Sequence, residues 1–487
     1  MTEMDTFLNT RCMQVQHAVL CVGSGYQASW LKELVDNTNL KTLIITGYLS
    51  ETQADQLMED LLIRAQCGKQ RLPEKFGFCP LSKLERPNEK WALLVASLEE
   101  NRDILPLKEL KPDYLLGHVS ALGVSAFSLW EHFRECCECI QLTTCRSDGE
   151  PQVLMWEKDP DNKIELSVIF PMYNVAKYLD QCIQSVTAWD ADYIEFLFVN
   201  DGSPDNSREI VLEYAKKDPR IKLLDKPNGG CASARQWGLD HAKGRYVGFV
   251  DPDDYIDESM FRKLIRNAFI GNYDISYCGY KEYYENNGQT KDAVDVLGWP
   301  FNKGVTNPKQ ILILIAYCRI AIWRGIFKME MLRQNNIHFY TELRRFDDLP
   351  FHMETLAAAR SVISLDENLY YYRLARPGQD VSADDERLYV HFPIFAHLND
   401  SIASKQNQEL TDHLQLRKIQ THRYALEKIR PEFVKEYARQ ARADLATTGS
   451  FWRSFFMIKE MLGRKSALIY LAIMCRNTLM LKKLCGK

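Results

Sequence analysis

Between residues 164 and 277, short apolar runs alternate with segments of helical periodicity, and this constrains the fold more than any other feature of the chain. Residues 164–170 form an apolar run that ends in Pro171, and 194–199 form a second suited to a strand buried on both faces. Residues 221–224, 245–250 and 274–277 supply three more. Between the first two, Leu179, Cys182, Ile183 and Val186 fall on one face of a helix. Ser203-Pro204-Asp205 carries the start signals of a helix running to Tyr214, and a further helix is predicted over about 231–242. Strands alternating with helices predict a mostly parallel sheet covered by helices. After Pro308 the pattern turns mainly helical.

A second alternation precedes it. Apolar runs at 18–22, 42–46, 91–96, 114–116 and 139–142 are interleaved with helical patterns at 29–35, 52–65 and 126–134, which predicts a Rossmann-like α/β domain. The run Val22-Gly23-Ser24-Gly25-Tyr26-Gln27-Ala28 matches a G-x-G-x-x-A dinucleotide fingerprint. The second strand, however, ends in Thr46-Gly47 rather than in an acid that would hold a ribose, so an accessory domain without a bound cofactor is expected. At roughly 150 residues per domain, 487 residues suggest two or three domains. The expected division is 1–146 as the accessory domain, a charged, Pro- and Gly-containing linker at 147–163, an α/β core at 164–382, and a helical C-terminal region at 383–487.

Composition excludes several classes. Sixty-one basic and 65 acidic residues give a net charge of -4, so no nucleic-acid partner is expected. That average hides a basic tail: residues 451–487 carry eight Lys/Arg and one acid, interleaved with aromatic and aliphatic residues. Such a segment suits either an anionic membrane surface or a helical pair packed on the core. No apolar stretch reaches the length of a membrane span, and residues 1–11 lack a signal-peptide pattern. The expected setting is therefore cytoplasmic, with reduced thiols and peripheral contact with the inner face of the membrane. Cys136, Cys137, Cys139 and Cys145 fit no zinc spacing.

The chemistry is concentrated in loops that follow the strands of the core, where open α/β sheets bind ligands. Phe170-Pro171-Met172-Tyr173-Asn174, Val199-Asn200-Asp201-Gly202-Ser203-Pro204-Asp205 and Val250-Asp251-Pro252-Asp253-Asp254 each place a carboxylate, amide or aromatic group just past an apolar run. Asp251 and Asp253 flank a proline at a strand end, so both carboxylates can face one crevice and hold a hard divalent cation, Mg²⁺ or Mn²⁺. Asp254 is expected to cap the helix that begins near Asp257, and Asp205 and Ser203 also read as caps.

In order and spacing, SVIFPMYN (167–174), FLFVNDGSPDNS (196–207), KPNGGCASARQWGL (226–239) and GRYVGFVDPDD (244–254) resemble the nucleotide-sugar half of family 2 glycosyltransferases, which have the GT-A fold. The resemblance implies an inverting transferase that moves a sugar from a nucleotide-sugar donor to a hydroxyl of a glycan or lipid-linked acceptor, in bacterial surface-polysaccharide synthesis. It places the donor on Pro171, Tyr173, Asn174, Asp201, Asn228, Gly230, Arg235, Asp251 and Arg373, and the cation on Asp251 and Asp253. Gln236 stands where the family usually has Asn. Asp347-Asp348 resembles the family's Glu-Asp pair, which makes Asp348 the catalytic base. Trp323, Asp347 and Tyr372 are implied on the acceptor side, and Tyr371-Tyr372-Arg373 with Arg376 and Ser382 resembles a run that closes over the diphosphate. A sugar-nucleotide nucleotidyltransferase would need a basic Gly-rich loop after its first strand, and 171–174 is not one. A non-catalytic binding module would have no need of Asp253 and Asp348.

Overall fold

The computed structural model describes residues 17–22, 42–47, 75–78, 91–96, 109–119, 124–145, 151–294, 301–343, 345–374, 383–403 and 405–486. The chain forms two compact units, 1–163 with 269–272, and 164–268 with 273–487.

The first unit contains a seven-stranded sheet: β1 (His17–Val22), β2 (Thr42–Gly47), β3 (Lys75–Phe78), β4 (Trp91–Ala96), β5 (Tyr114–Val119), β6 (Cys139–Cys145) and β7 (Pro151–Glu157). Their order is β3-β2-β1-β4-β5-β6-β7, with every pairing parallel except β6 with β7. The first six strands follow the doubly wound order of dinucleotide-binding sheets. The G-x-G-x-x-A run and the helical patterns at 29–35 and 52–65 lie outside the described residues.

The segment expected to be a linker, 147–163, instead contributes β7. Leu154 and Trp156 are buried, whereas Val153 and Met155 are 41% and 53% exposed, the period-2 alternation of an edge strand. Apolar residues on both faces obscured that alternation in the sequence. Trp156 meets Trp130 of helix Val124–Phe133 edge-on at 6.3 Å.

The second unit is built on a nine-stranded sheet: β8 (Leu166–Met172), β9 (Ile194–Asn200), β10 (Ile221–Asp225), β11 (Tyr246–Phe249), β12 (Tyr255–Ile256), β13 (Ile275–Tyr284), β14 (Gln289–Asp292), β15 (Gly325–Lys328) and β16 (Val362–Leu374). The order is β10-β9-β8-β11-β15-β13-β16-β12, with β14 on the edge of β13. β8 to β11 are parallel and β15 runs against both of its neighbours. The chain leaves β8 for β9 on one side and later returns to β11 on the other. Ligand crevices open at such a reversal, beyond the carboxyl ends of the strands.

Helix Ala176–Thr187 buries Leu179, Cys182, Ile183 and Val186, the four residues that its periodicity singles out. Helix Cys231–His241 lies so close to β8 that a Cβ on Gly238 would come within 2.4 Å of Ile169. The helix expected to begin at Ser203-Pro204-Asp205 begins at Ser207. The Asp205 carboxylate accepts from Ser207 N at 3.2 Å, and also from Ala176 N at 2.9 Å, so one side chain serves the starts of two helices.

Beyond β16 the described chain is helical: His391–Ala403, Gln408–Lys428, Val434–Ala446, Phe451–Met474 and Thr478–Leu484. A buried polar chain ties the first three together. Lys418, with a fully buried side chain, pairs with Asp444 at 2.8 Å, and His422 Nε2 meets the same carboxylate at 2.8 Å. His422 Nδ1 and His391 Nδ1 both meet the Tyr437 hydroxyl, at 3.0 and 3.1 Å. Burial lowers the pKa of Lys418 and of His422; for Asp444 burial acts upward, but His422 and Lys418 outweigh it and hold its carboxyl low. Removing Asp444 strands a buried ammonium, so Asp444→Ala is expected to cost about 3–5 kcal/mol in urea unfolding. A loss below about 1 kcal/mol would contradict this account of the helical region.

Helix Phe451–Met474 is kinked at Gly463, where φ is +81°. Ile458, Ala467, Ile469, Tyr470 and Ile473 are buried, while Trp452 and Phe456 are 64% and 59% exposed. The tail therefore both packs on the helical core and presents aromatic side chains outward. No helix among the described residues is long and apolar enough to cross a membrane.

Candidate active site

Three loops meet beyond β8, β9 and β11. The first leaves β8 at Met172; Pro171 is buried within the strand, and Tyr173 is 51% exposed. Asn174 takes the left-handed conformation, φ +56°, which asparagine tolerates, and its backbone N–H donates to Ser203 Oγ at 3.4 Å. Both fit a loop that turns outward, with the Tyr173 ring free for contact.

The second loop centres on Asp201, which is 2% exposed. Its carboxylate accepts from the backbone N–H groups of Gly229 (2.9 Å) and Gly230 (2.7 Å) and pairs with Lys226. Asn228 Nδ2 donates to Asp201 O at 2.9 Å. Asp201, Asn228 and Gly230 are thus brought together, with Asp201 holding the Gly-Gly turn in shape. Gly230 has φ +90°, a conformation that a side chain would strain, and from it helix Cys231–His241 departs.

The third loop follows β11. Asp251 is partly exposed (side chain 25%), and Asp253 is 5% exposed. Asp254 does not cap a helix as expected. Its buried carboxylate accepts from the Tyr370 hydroxyl (2.7 Å) and from Arg373 N (2.7 Å), fastening β16 to the loop. Burial, together with Asp253 and Asp251, pushes the Asp254 carboxyl well above the usual range. Capping falls to Asp257, which accepts from Ser259 N at 3.0 Å ahead of helix Met260–Ile270.

Arg373, expected over the diphosphate, is directed into the fold instead. It is 3% exposed; Nε donates to Asp253 O (2.7 Å), Nη2 to Gln181 Oε1 (2.6 Å), and Nη1 pairs with Glu285. The rings of Tyr178, Tyr283 and Tyr255 surround the guanidinium at 4.9, 4.9 and 5.8 Å. It forms a pillar under the acidic loop. Tyr178, Gln181, Tyr255, Tyr283 and Glu285 had no sequence signal, because they are spread over more than a hundred positions and no motif links them. Arg376 and Ser382 lie outside the described residues.

The acceptor-side pair stands at the start of helix Asp348–Ala358. Phe346, just before it, is held at φ +54°, a strained conformation for an aromatic residue. Asp347 is 4% exposed and Asp348 half-buried. Burial, then the neighbouring Asp347 charge, pushes the Asp348 carboxyl up to about 7. Arg235 joins this pair to the third loop: Nη2 donates to Asp251 at 2.6 Å and Nη1 to Asp347 at 2.8 Å. Gln236 takes no part in that contact; its Oε1 accepts from Phe339 N at 2.8 Å and ties the helix to the segment leading to Asp347.

Trp323 is buried, stacked on Tyr370 at 4.2 Å and on Tyr372 at 5.3 Å. Tyr372 is only partly buried, and burial followed by the charges of Asp254, Asp251, Asp253 and Asp348 raises its pKa, which places it beside the acids. Of the two rings, Tyr372 is the more exposed.

The Glycosyl transferase family 2 model matches residues 167–330. GlyG, a glycosyltransferase of Streptococcus pneumoniae serotype 4, is 30% identical over 230 residues, which cover 43% of this chain and 70% of GlyG. The chain belongs to glycosyltransferase family 2. EpsJ of Bacillus subtilis, an uncharacterized glycosyltransferase, is 36% identical over 217 residues, which cover 43% of this chain and 60% of EpsJ. The chain spans about 60% of the length of the first curated relatives that it matches. Among solved structures, residues 1–349 of Staphylococcus aureus TarS in complex with UDP-GlcNAc superpose with a TM-score of 0.55 at 20% identity, over 66% of this chain and 91% of that one. That likeness supports the GT-A fold for this family 2 chain.

The donor set of the third loop is chemically suited to the cation that the family implies. Asp251 and Asp253 offer only hard oxygen ligands just past β11, Asp251 partly exposed and Asp253 buried. Among the described residues no group of three or more His, Cys, Asp or Glu is placed to hold a metal ion, so the protein would supply at most these two carboxylates. Two carboxylates are the kind of oxygen ligand that Mg²⁺ or Mn²⁺ takes alongside waters and phosphate oxygens.

Proposed function

We propose that this family 2 chain is an inverting glycosyltransferase that moves a sugar from a nucleotide-sugar donor to a hydroxyl of a glycan or lipid-linked acceptor in bacterial surface-polysaccharide synthesis. The observation that carries the reading is Arg235, whose single guanidinium touches both Asp251 and Asp347. The loop suited to the donor diphosphate and the residue beside the base are thus within one side chain's span, as an in-line displacement requires.

Asp348, with its carboxyl raised to about 7, takes the proton from the acceptor hydroxyl. The acceptor oxygen forms its bond to the anomeric carbon as the bond from that carbon to the diphosphate breaks, and the electron pair leaves with the diphosphate. One displacement inverts the anomeric centre. Asp251 and Asp253 would hold Mg²⁺ or Mn²⁺, which would supply counter-charge for the departing diphosphate. Pro171 and Tyr173 line the nucleotide end. Asp201, Asn228 and Gly230 shape the turn over which the donor lies, and Asp201 retains lone pairs for the base. Tyr372 meets the acceptor, with Trp323 behind it. Arg373 acts by holding the acidic loop in place. The 1–163 unit is an accessory domain.

A panel of nucleotide sugars with Mn²⁺ or Mg²⁺, UDP-N-acetylglucosamine first, tests this reading: transfer or slow donor hydrolysis is expected for at least one. The absence of both across the panel, with and without glycan and lipid-linked acceptors, would overturn it.

For the tail, we propose peripheral attachment to the anionic inner face of the cytoplasmic membrane through Trp452 and Phe456, with Lys459 and Arg464 beside them. All four are exposed. Aromatic rings at the headgroup level and basic side chains toward anionic lipid make a two-part anchor. Deleting the segment would remove buried Ile469 and Tyr470 from the helical core, so substitution is the cleaner test. Trp452→Ser with Phe456→Ser is expected to lower flotation with phosphatidylserine vesicles about tenfold or more, at roughly 0.8 kcal/mol per CH₂ withdrawn from lipid. Equal flotation of the variant and the unaltered chain would remove the anchor.

A further inference from the structure

We propose that Arg235 couples the cation site to the catalytic base. It is shared between Asp251 and Asp347 when no cation is bound, and a divalent cation arriving at Asp251 displaces it there and leaves it to Asp347 alone, beside Asp348. The inference rests on the reading that Asp251 and Asp253 hold the cation.

Three observations support it. First, Arg235 is 5% exposed and its guanidinium is shared between two carboxylates, Asp251 at 2.6 Å and Asp347 at 2.8 Å. Arginine stays charged at any working pH, so it can exchange partners but cannot neutralise itself. Second, a cation of the Mg²⁺ or Mn²⁺ type sits about 2.0–2.1 Å from its carboxylate oxygens. There it competes for the Asp251 lone pairs that Arg235 uses, and repels the guanidinium. Third, the backbone on both sides is fixed. Gly238 packs helix Cys231–His241 against Ile169, Gln236 is tied to Phe339 N, and Asp347 is held at a strained turn after Phe346. The freedom left to the system is the partition of one guanidinium between two acids.

The coupling must be reciprocal: whatever strengthens the hold of Asp347 on Arg235 eases cation entry, and whatever weakens it opposes cation entry. This differs from a simple sum of charges, and a double-mutant cycle separates the two. Mn²⁺ affinity of the full chain, with and without UDP, would be read from the paramagnetic resonance signal of free Mn²⁺, with no turnover involved. Arg235→Gln is expected to tighten Mn²⁺ about fivefold or more, and Asp347→Asn to weaken it about fivefold or more. In the Arg235→Gln background the Asp347→Asn change is expected to shift affinity by less than about twofold.

Arg235→Gln leaves Asp347 buried opposite a neutral group. If it fails to fold, Arg235→Lys replaces it in the cycle: a point charge on a shorter reach cannot bridge both acids, so the Asp347 effect should again shrink. An Asp347→Asn effect of equal size in both backgrounds means ordinary charge repulsion and overturns the coupling while leaving the cation reading intact. If the unaltered chain binds no Mn²⁺ in either condition, the cation reading fails and the coupling fails with it.

Discussion

Asp348→Asn is expected to abolish most transfer while making the protein more stable at alkaline pH. Loss of a positioned general base costs roughly 10²–10⁴ in kcat. The stability change has the opposite sign to that of most active-site losses. Asp348 has its folded value raised to about 7 from an ordinary 3.8, first by burial and then by Asp347. A carboxyl with a raised value favours the fold while protonated. Its contribution is full below about 3.8 and is lost as pH climbs through 7, where a buried negative charge must be carried. The neutral amide carries none, so at pH 8 the variant gains up to about 4 kcal/mol, a gain that vanishes near pH 4. Thermal melting at the two pH values measures it. A variant with undiminished turnover, or one no more stable at pH 8 than the unaltered chain, would remove Asp348 from the role assigned to it.

Arg373→Ala is expected to destabilise the second unit strongly. The guanidinium is 3% exposed, bonded to Asp253 O and Gln181, paired with Glu285, and enclosed by Tyr178, Tyr255 and Tyr283. Its removal leaves Glu285 paired with Lys177 alone, opens a void between three rings, and frees the loop that carries Asp251 and Asp253. Losing a large buried side chain together with its hydrogen bonds costs about 3–5 kcal/mol. At roughly 2.1 cal/mol/K of unfolding entropy per residue, a unit of this size loses about 1.5 °C per kcal/mol, so melting falls by roughly 4–8 °C. Arg373→Lys keeps the charge but not the planar fork, and should recover only part of the loss. A diphosphate clamp would behave differently, raising the donor KM with melting unchanged. That outcome would restore the role that the motif resemblance implied for Arg373.

The contrast between these two residues shows what the sequence could convey. The Asp347-Asp348 pair was legible as a helix start because its signal is local. The strand-end loops were legible because buried strands read as unbroken apolar runs, and helix Ala176–Thr187 because its four buried residues repeat at helical spacing. The contacts of Arg373 and Asp254 were not legible because their partners come from distant elements: Gln181 is 192 positions from Arg373 and Tyr370 is 116 from Asp254. A buried arginine and a surface arginine have the same letter, and only the rings around it distinguish them. β7 was missed for a local reason: apolar Val153 and Met155 on its exposed face masked the alternation of Leu154 and Trp156. The tail lay between two readings, and the structure accommodates both, with one face of helix Phe451–Met474 in the core and the other bearing Trp452 and Phe456.

The central claim is that Asp348 works as the base beside the acidic loop, and the pH dependence of kcat/KM on an active donor tests it most directly. The profile is predicted to rise about tenfold per pH unit to an acid limb at or below about 7, drawn down from that value by a bound cation's charge, and then to level. The residual activity of Asp348→Asn should lack that limb. A profile flat from about pH 5 to 9, or a limb that persists unchanged in Asp348→Asn, would contradict the account.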